Sequence, residues 1–263
     1  MRELQGFIFD LDGTVYLSER LIPGAAETIG TLRNQGKRTA FLSNKPIESR
    51  EHYAAKLTRL GIPTEAEDII NSSLVMARYI ADHAPGAAVY CLGEQPLRDE
   101  LAGAGLRVTA DPKQAAFLVV AFDRTFDYGK LNDALIAVKN GARFVATNPD
   151  RTCPVDGGEI PDCAGMIGAV AGVTGKQPEI IVGKPNPLML QTILARMELS
   201  AADCLMVGDR LDTDIVMGLD AGMPTALVLT GATSREQLDG SHVRPHFVLD
   251  SIADLIPMLR RGL

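Results

Sequence analysis

The feature that most limits what this chain can fold into is a set of short, largely apolar runs, each broken off by a polar cluster. Gly6–Phe9, Arg38–Leu42, Ile180–Val182, Cys204–Val207 and Thr225–Leu229 all end where Gly, Asp, Ser, Asn or Lys begin. Apolar runs this short, without polar alternation, suit parallel strands buried on both faces. Amphipathic stretches lie between them, as crossover helices require. The expected fold class is α/β with a Rossmann-like parallel sheet, and ligands of such sheets bind beyond the carboxyl ends of the strands. The polar clusters at those ends are therefore the place to look for chemistry.

Asp12 and Ser43 are separated by about one helix and one strand, whereas the stretch from Ser43 to Lys184 is long enough to need its own domain. It holds strand-like runs at Ala88–Leu92, Phe117–Phe122 and Arg143–Thr147, and helical patterns at Gln95–Ala104, Tyr128–Asn140 and Ala164–Val173. The expected organisation is a discontinuous core of residues 1–79 plus 179–263, with an inserted α/β domain over 80–178.

The 263 residues suit two domains, and 46% hydrophobic with 22% charged residues is ordinary for a folded chain. A net charge of -7 repels phosphate backbones and anionic lipid, which argues against a nucleic-acid partner. Cys91, Cys153, Cys163 and Cys204 lack metal or redox spacing and are expected to be buried, reduced thiols. The N-terminus has no apolar region of signal-peptide length and no run reaches transmembrane length, so a cytoplasmic protein without membrane contact is expected.

Four clusters could carry a reaction. In Phe7-Ile8-Phe9-Asp10-Leu11-Asp12-Gly13-Thr14, positions 10 and 12 share a face of an extended segment, so both carboxylates can meet one phosphate. Asp10 would be nucleophile or metal ligand and Asp12 the proton donor to the leaving oxygen. A pair of loop or capping aspartates is the plain alternative. An EF-hand does not fit, because its required Gly and Glu positions are Val15 and Leu21.

The second cluster, Ser43-Asn44-Lys45-Pro46, offers phosphate-binding groups from Ser43, Asn44 and Lys45, or simply turn chemistry. The third, Ile181-Val182-Gly183-Lys184-Pro185, puts Lys184 directly after an apolar run, where it can neutralise developing phosphoryl charge; the alternative is a surface lysine. No P-loop frame surrounds it. The fourth, Val207-Gly208-Asp209-Arg210-Leu211-Asp212-Thr213-Asp214, makes Asp209 the best magnesium ligand and Asp214 a support for the loop, with Asp212 suited to a helix dipole.

Together the four clusters resemble the four motifs of the haloacid dehalogenase superfamily. Ala146-Thr147-Asn148-Pro149-Asp150 resembles the cap of its NagD and nitrophenyl-phosphatase branch, and Leu92-Gly93-Glu94-Gln95, Cys163 to Gly168 and Val228 to Gly231 look closest to AraL-type sugar phosphatases. The resemblance implies a phosphatase that forms an aspartyl-phosphate on Asp10, with Asp12 as general acid and base and with Ser43 and Lys184 holding the phosphoryl group. Mg2+ would be bound by the Asp10 carboxylate, the Asp12 main-chain carbonyl and Asp209, with Asp214 in support. Asn148 and Asp150 would face substrate from the cap. The implied substrate is a small phosphorylated metabolite such as a sugar phosphate, with p-nitrophenyl phosphate turned over in vitro, and the branch allows a cap-to-cap homodimer. A phosphomutase on the same fold and a binding module without turnover are the competing readings.

Overall fold

The structure is a computed structural model that describes residues 4–155 and 157–260. Met1 to Glu3, Asp156 and the last three positions lie outside them, and with them the outer ends of the two expected core segments and the start of the N-terminus read above.

Six parallel strands form the larger sheet in the spatial order Phe247–Leu249, Thr225–Val228, Cys204–Gly208, Gly6–Asp10, Arg38–Ser43, Ile69–Asn71. The chain leaves Gly6–Asp10 toward one edge and later returns to build the other, so the order reverses at this central strand. Such a reversal opens a crevice at the carboxyl ends. Register carries the same alignment across the centre, Phe9 lying opposite both Val207 and Phe41.

Alternate residues feed opposite faces. Phe7 and Phe9 pack with Phe41, Leu205 and Val207 beneath the helices Ala25–Asn34 and Arg50–Arg59. Ile8 packs with Leu42 and Met206 on the other face, against helices Ser72–His83 and Pro187–Met197. This second cluster runs without a break into Val89, Cys91 and Val119 of the smaller sheet.

The smaller sheet is also parallel, in the order Arg107–Val108, Ala88–Leu92, Phe117–Val120, Arg143–Ala146. Its helices Gln95–Gly103, Tyr128–Lys139 and Cys163–Thr174 agree with the helical patterns expected from sequence to within a residue or two. Asp127 and Asp162 cap the last two through their carboxylates, which accept from Lys130 N–H and Cys163 N–H. An antiparallel hairpin, Thr152–Val155 with Gly158–Pro161, projects beside this sheet.

One expected core strand is corrected. Residues 180–182 do not join the six-stranded sheet; their bonds go to the smaller one. Glu179 N–H donates to Phe144 O, Ala146 N–H to Ile180 O, Val182 N–H to Ala146 O and Gly183 N–H to Thr147 O. The segment is covered on two sides as a strand would be: Ile180 and Val182 meet the cluster that both sheets share, and Ile181 packs on the smaller sheet's other face.

Candidate active site

The central strand ends on Asp10, and the chain then turns sharply through Gly13. Gly13 has φ +85, and a Cβ there would stand 2.5 Å from Asp209 Oδ2, so this position requires glycine twice over. The turn brings Asp12 to the cleft. Asp10, Asp12, Ser43, Asn44, Lys45, Lys184 and Thr213 line it from the larger sheet's loops, with Asp150, Thr152, Cys153 and Asp162 facing them.

Lys184 is the electrostatic centre. Its Nζ donates to Asp10 Oδ1 at 2.5 Å and to Asp214 Oδ1 at 2.7 Å, with all three residues buried. Burial alone would push the ammonium's pKa down, but the two carboxylates outweigh it and the net shift is upward, which keeps Lys184 charged. Asp10 moves well above the usual carboxylate range. Desolvation is the main cause; Lys184 opposes it, while Asp214 and Asp209 add to it. Asp209, also driven first by desolvation and then by Asp214, is pushed up to about 7.

Three buried carboxylates this close are costly unless a cation joins them. One oxygen from each of Asp10, Asp209 and Asp214 lies within 4.8 Å of the others. Both oxygens of Asp214 are engaged, one by Lys184 and the other by Arg210 N–H at 3.1 Å. Asp209 Oδ2 accepts from Ala232 N–H at 2.6 Å. That leaves Asp10 Oδ2 and Asp209 Oδ1 buried and without a hydrogen-bond partner. Two unengaged oxygens from separate carboxylates suit a hard divalent ion such as Mg2+, which takes one or two carboxylates and keeps water or phosphate at its other positions.

Each remaining expected residue has a definite place. Ser43 is buried and its Oγ accepts from Lys45 N–H at 3.1 Å. Lys45 Nζ pairs with Asp12 Oδ1 at 2.9 Å. Burial lowers the Lys45 pKa and the Asp12 charge, with smaller help from Cys153, raises it; the balance is upward.

Asn44 and Asn148 differ from expectation. The Asn44 amide is spent on the main chain of Lys184: Oδ1 accepts from Lys184 N–H at 2.7 Å and Nδ2 donates to Lys184 O at 3.2 Å. Asn148 is fully enclosed and does not line the cleft. Its Oδ1 accepts from Thr147 Oγ1, and its Nδ2 donates to Asp150 Oδ2 at 3.1 Å and Asp162 Oδ1 at 3.0 Å. It holds Asp150 in the cleft wall and is not itself exposed to a substrate. The four cysteines are free and buried, as expected.

Sequence reasoning missed Asp162, Arg210 and Thr213. Burial first of all raises Asp162 to about 6. Arg210 reaches out of the loop that carries Asp209, and its Nη2 donates to Thr152 O of the hairpin at 3.2 Å. Beside the cleft, a cavity of about 240 Å3 shares Asp12, Lys45, Cys153 and Pro154 with it and is walled further by Tyr16, Phe122, Arg124 and Ile160. No periodicity or spacing in the sequence points to these contacts.

A family model described as haloacid dehalogenase-like hydrolase matches residues 7–107, and a second, HAD-hydrolase-like, matches 181–255. The chain is 43% identical to sugar-phosphatase AraL of Bacillus subtilis (strain 168), over 98% of this chain and 94% of the relative. The chain belongs to the haloacid dehalogenase-like hydrolase family. Within it, the p-nitrophenyl phosphatase of Archaeoglobus fulgidus superposes with a TM-score of 0.91 at 35% identity, covering 97% of this chain and 99% of that one. NagD of E. coli K-12 superposes with a TM-score of 0.87 at 30% identity, covering 96% and 98%. This haloacid dehalogenase-like hydrolase is thus a phosphatase of the NagD and nitrophenyl-phosphatase branch. No helix among its described residues is long and apolar enough to cross a membrane.

Proposed function

We propose that Asp10 is the nucleophile of a magnesium-dependent phosphatase acting on small phosphorylated metabolites, with sugar phosphates the favoured class. The observation that carries this reading is the pair of unengaged buried oxygens, Asp10 Oδ2 and Asp209 Oδ1, beside the charged Lys184. Asp10, Asp209 and the Asp12 main-chain carbonyl would hold Mg2+, and Asp214 would brace Lys184 and the loop. When bound, the ion supplies positive charge against the phosphoryl oxygens.

An Asp10 carboxylate oxygen bonds to phosphorus while the ester oxygen leaves with the electron pair of its bond, taking a proton from Asp12. Water then attacks the phosphorus of the acyl phosphate. Asp12 takes the water's proton, inorganic phosphate departs and the Asp10 carboxylate is restored. Lys184 and the Ser43 hydroxyl hold the phosphoryl oxygens throughout, and Lys45 keeps Asp12 oriented at the mouth of the adjoining cavity. That cavity is where the leaving group fits, since Asp12 lines both spaces. The name of the AraL relative supports a sugar leaving group. Residues 80–178 are proposed as the cap and 1–79 plus 179–263 as the core, supported by the two separate parallel sheets.

The test is phosphate release across sugar phosphates, nucleotides and p-nitrophenyl phosphate, in wild type and Asp10→Asn. Wild type should favour sugar phosphates, and the variant should lose more than about 10³-fold in kcat while staying folded. A variant that keeps a tenth of the activity would remove Asp10 from this role. Ligand binding by wild type without phosphate release would favour the binding-module reading.

A further inference from the structure

Thr213 sits in the wide π-helical turn Leu211–Ile215, between Asp212 and Asp214, and lines the cleft with Asp10 and Lys184. The residue is 3% exposed, and its hydroxyl is sealed from solvent with no hydrogen-bond partner. Burial of an unpaired hydroxyl is unfavourable, and valine would fill the same space without that penalty. Wide turns of this type are frequent at functional sites. Because Thr213 lines the cleft, what the cleft binds can supply the partner.

No group among the described residues is placed to hydrogen-bond the hydroxyl. Both oxygens of Asp214 already accept, from Lys184 and from Arg210 N–H, and Asp209 Oδ2 accepts from Ala232 N–H. The unengaged groups of the cleft, Asp10 Oδ2 and Asp209 Oδ1, are the proposed ion ligands and are acceptors only. Mg2+ retains several waters when bound by so few carboxylates, and each bound water is a strong donor.

We infer that Thr213 is an outer-sphere residue of the magnesium site, its hydroxyl bonding a water held by the ion. The inference rests on the magnesium reading above. Loss of such outer contacts weakens metal binding by about 10- to 100-fold in other metalloproteins.

The experiment uses the full chain and no substrate. Calorimetric titration with MgCl2 and thermal unfolding with and without MgCl2 are compared for wild type, Thr213→Val and Thr213→Ser. Thr213→Val should bind Mg2+ about tenfold more weakly or worse, yet unfold at the same or a higher temperature than wild type when metal-free. Thr213→Ser, which restores the hydroxyl, should bind within about threefold of wild type. Equal Mg2+ affinity in wild type and Thr213→Val would overturn the inference while leaving the ion site standing. A metal-free Thr213→Val several degrees less stable than wild type would also overturn it, because the hydroxyl would then have a partner in the protein. A defect that shows only when inorganic phosphate is added with MgCl2 would instead make the hydroxyl a phosphoryl contact. Absence of any Mg2+ response in wild type would sink the magnesium reading itself.

Discussion

Asn44→Ala separates two roles that sequence cannot tell apart, binding phosphate and holding Lys184. The amide makes two hydrogen bonds to the Lys184 main chain, at 2.7 and 3.2 Å, in a position only 6% exposed. Truncation leaves a buried N–H and a buried carbonyl unpaired, at about 1–3 kcal/mol each, or roughly 2–6 kcal/mol together. Water entering the vacated space would hold the loss toward the lower figure. That is a large share of the roughly 5–15 kcal/mol that stabilises a domain. Lys184 would also drift from Asp10 and Asp214, and misplacement by about 1 Å costs on the order of 100-fold in rate. Urea unfolding should therefore show a lower midpoint at unchanged slope, and phosphate release at saturating Mg2+ should show a lower kcat. A variant within about 0.5 kcal/mol of wild type, the range of an ordinary surface change, with raised KM and normal kcat would refute the reasoning and return Asn44 to the phosphate.

Asp162 predicts a pH dependence of stability. Its folded pKa is raised to about 6 from 3.8, so the stability it contributes is complete below the unfolded value and lost as pH rises through about 6. Asp162→Asn keeps the capping oxygen without the charge, and its stability relative to wild type should rise by up to about 2–3 kcal/mol between pH 4.5 and 8; a pH-independent difference in urea midpoints would contradict this. EDTA should abolish activity and Mg2+ restore it, whereas Ca2+, with its looser and higher coordination, should inhibit; activity indifferent to chelation would exclude the Asp10 and Asp209 site. Asp150→Ala should change kcat/KM unequally among sugar phosphates, by about 1–3 kcal/mol where a hydroxyl contact is lost, and should affect p-nitrophenyl phosphate much less. Equal effects across the panel would deny Asp150 a part in specificity.

The central strand and its neighbour were readable because burial on both faces removes polar residues from Phe7 to Phe9 and from Leu205 to Val207. The same pattern misled at residues 180–182. Two-sided burial reports that a segment is covered, not which sheet it bonds to. Ile69–Asn71 and Phe247–Leu249 are three-residue edge strands, too short for a period to register. The charged site residues were legible because carboxylates and a lysine at strand ends have few structural reasons to be there together. Asn44 and Asn148 were not, since an amide serves a ligand or a backbone equally well and the choice is made by partners distant in sequence. Thr213 carries no local signal; its place in the cleft and the missing partner of its hydroxyl together single it out.

The bonds of residues 179–183 to the smaller sheet have a mechanical consequence. No slack separates the edge of that sheet from Lys184: Gly183 N–H is tied to Thr147 O, and the next residue is Lys184. A Cβ on Gly183 would lie 2.5 Å from that same carbonyl and 2.8 Å from Asn44 Oδ1, so the joint is tightly packed as well as short. A swing of the whole smaller sheet away from the larger one would drag Lys184 off Asp10 and Asp214 and tear the apolar cluster that both sheets share. The hairpin strands Thr152–Val155 and Gly158–Pro161 are joined to the core loop as well, through Arg210 Nη2 to Thr152 O. Lys184 and the edge of the smaller sheet are thus parts of one packed joint.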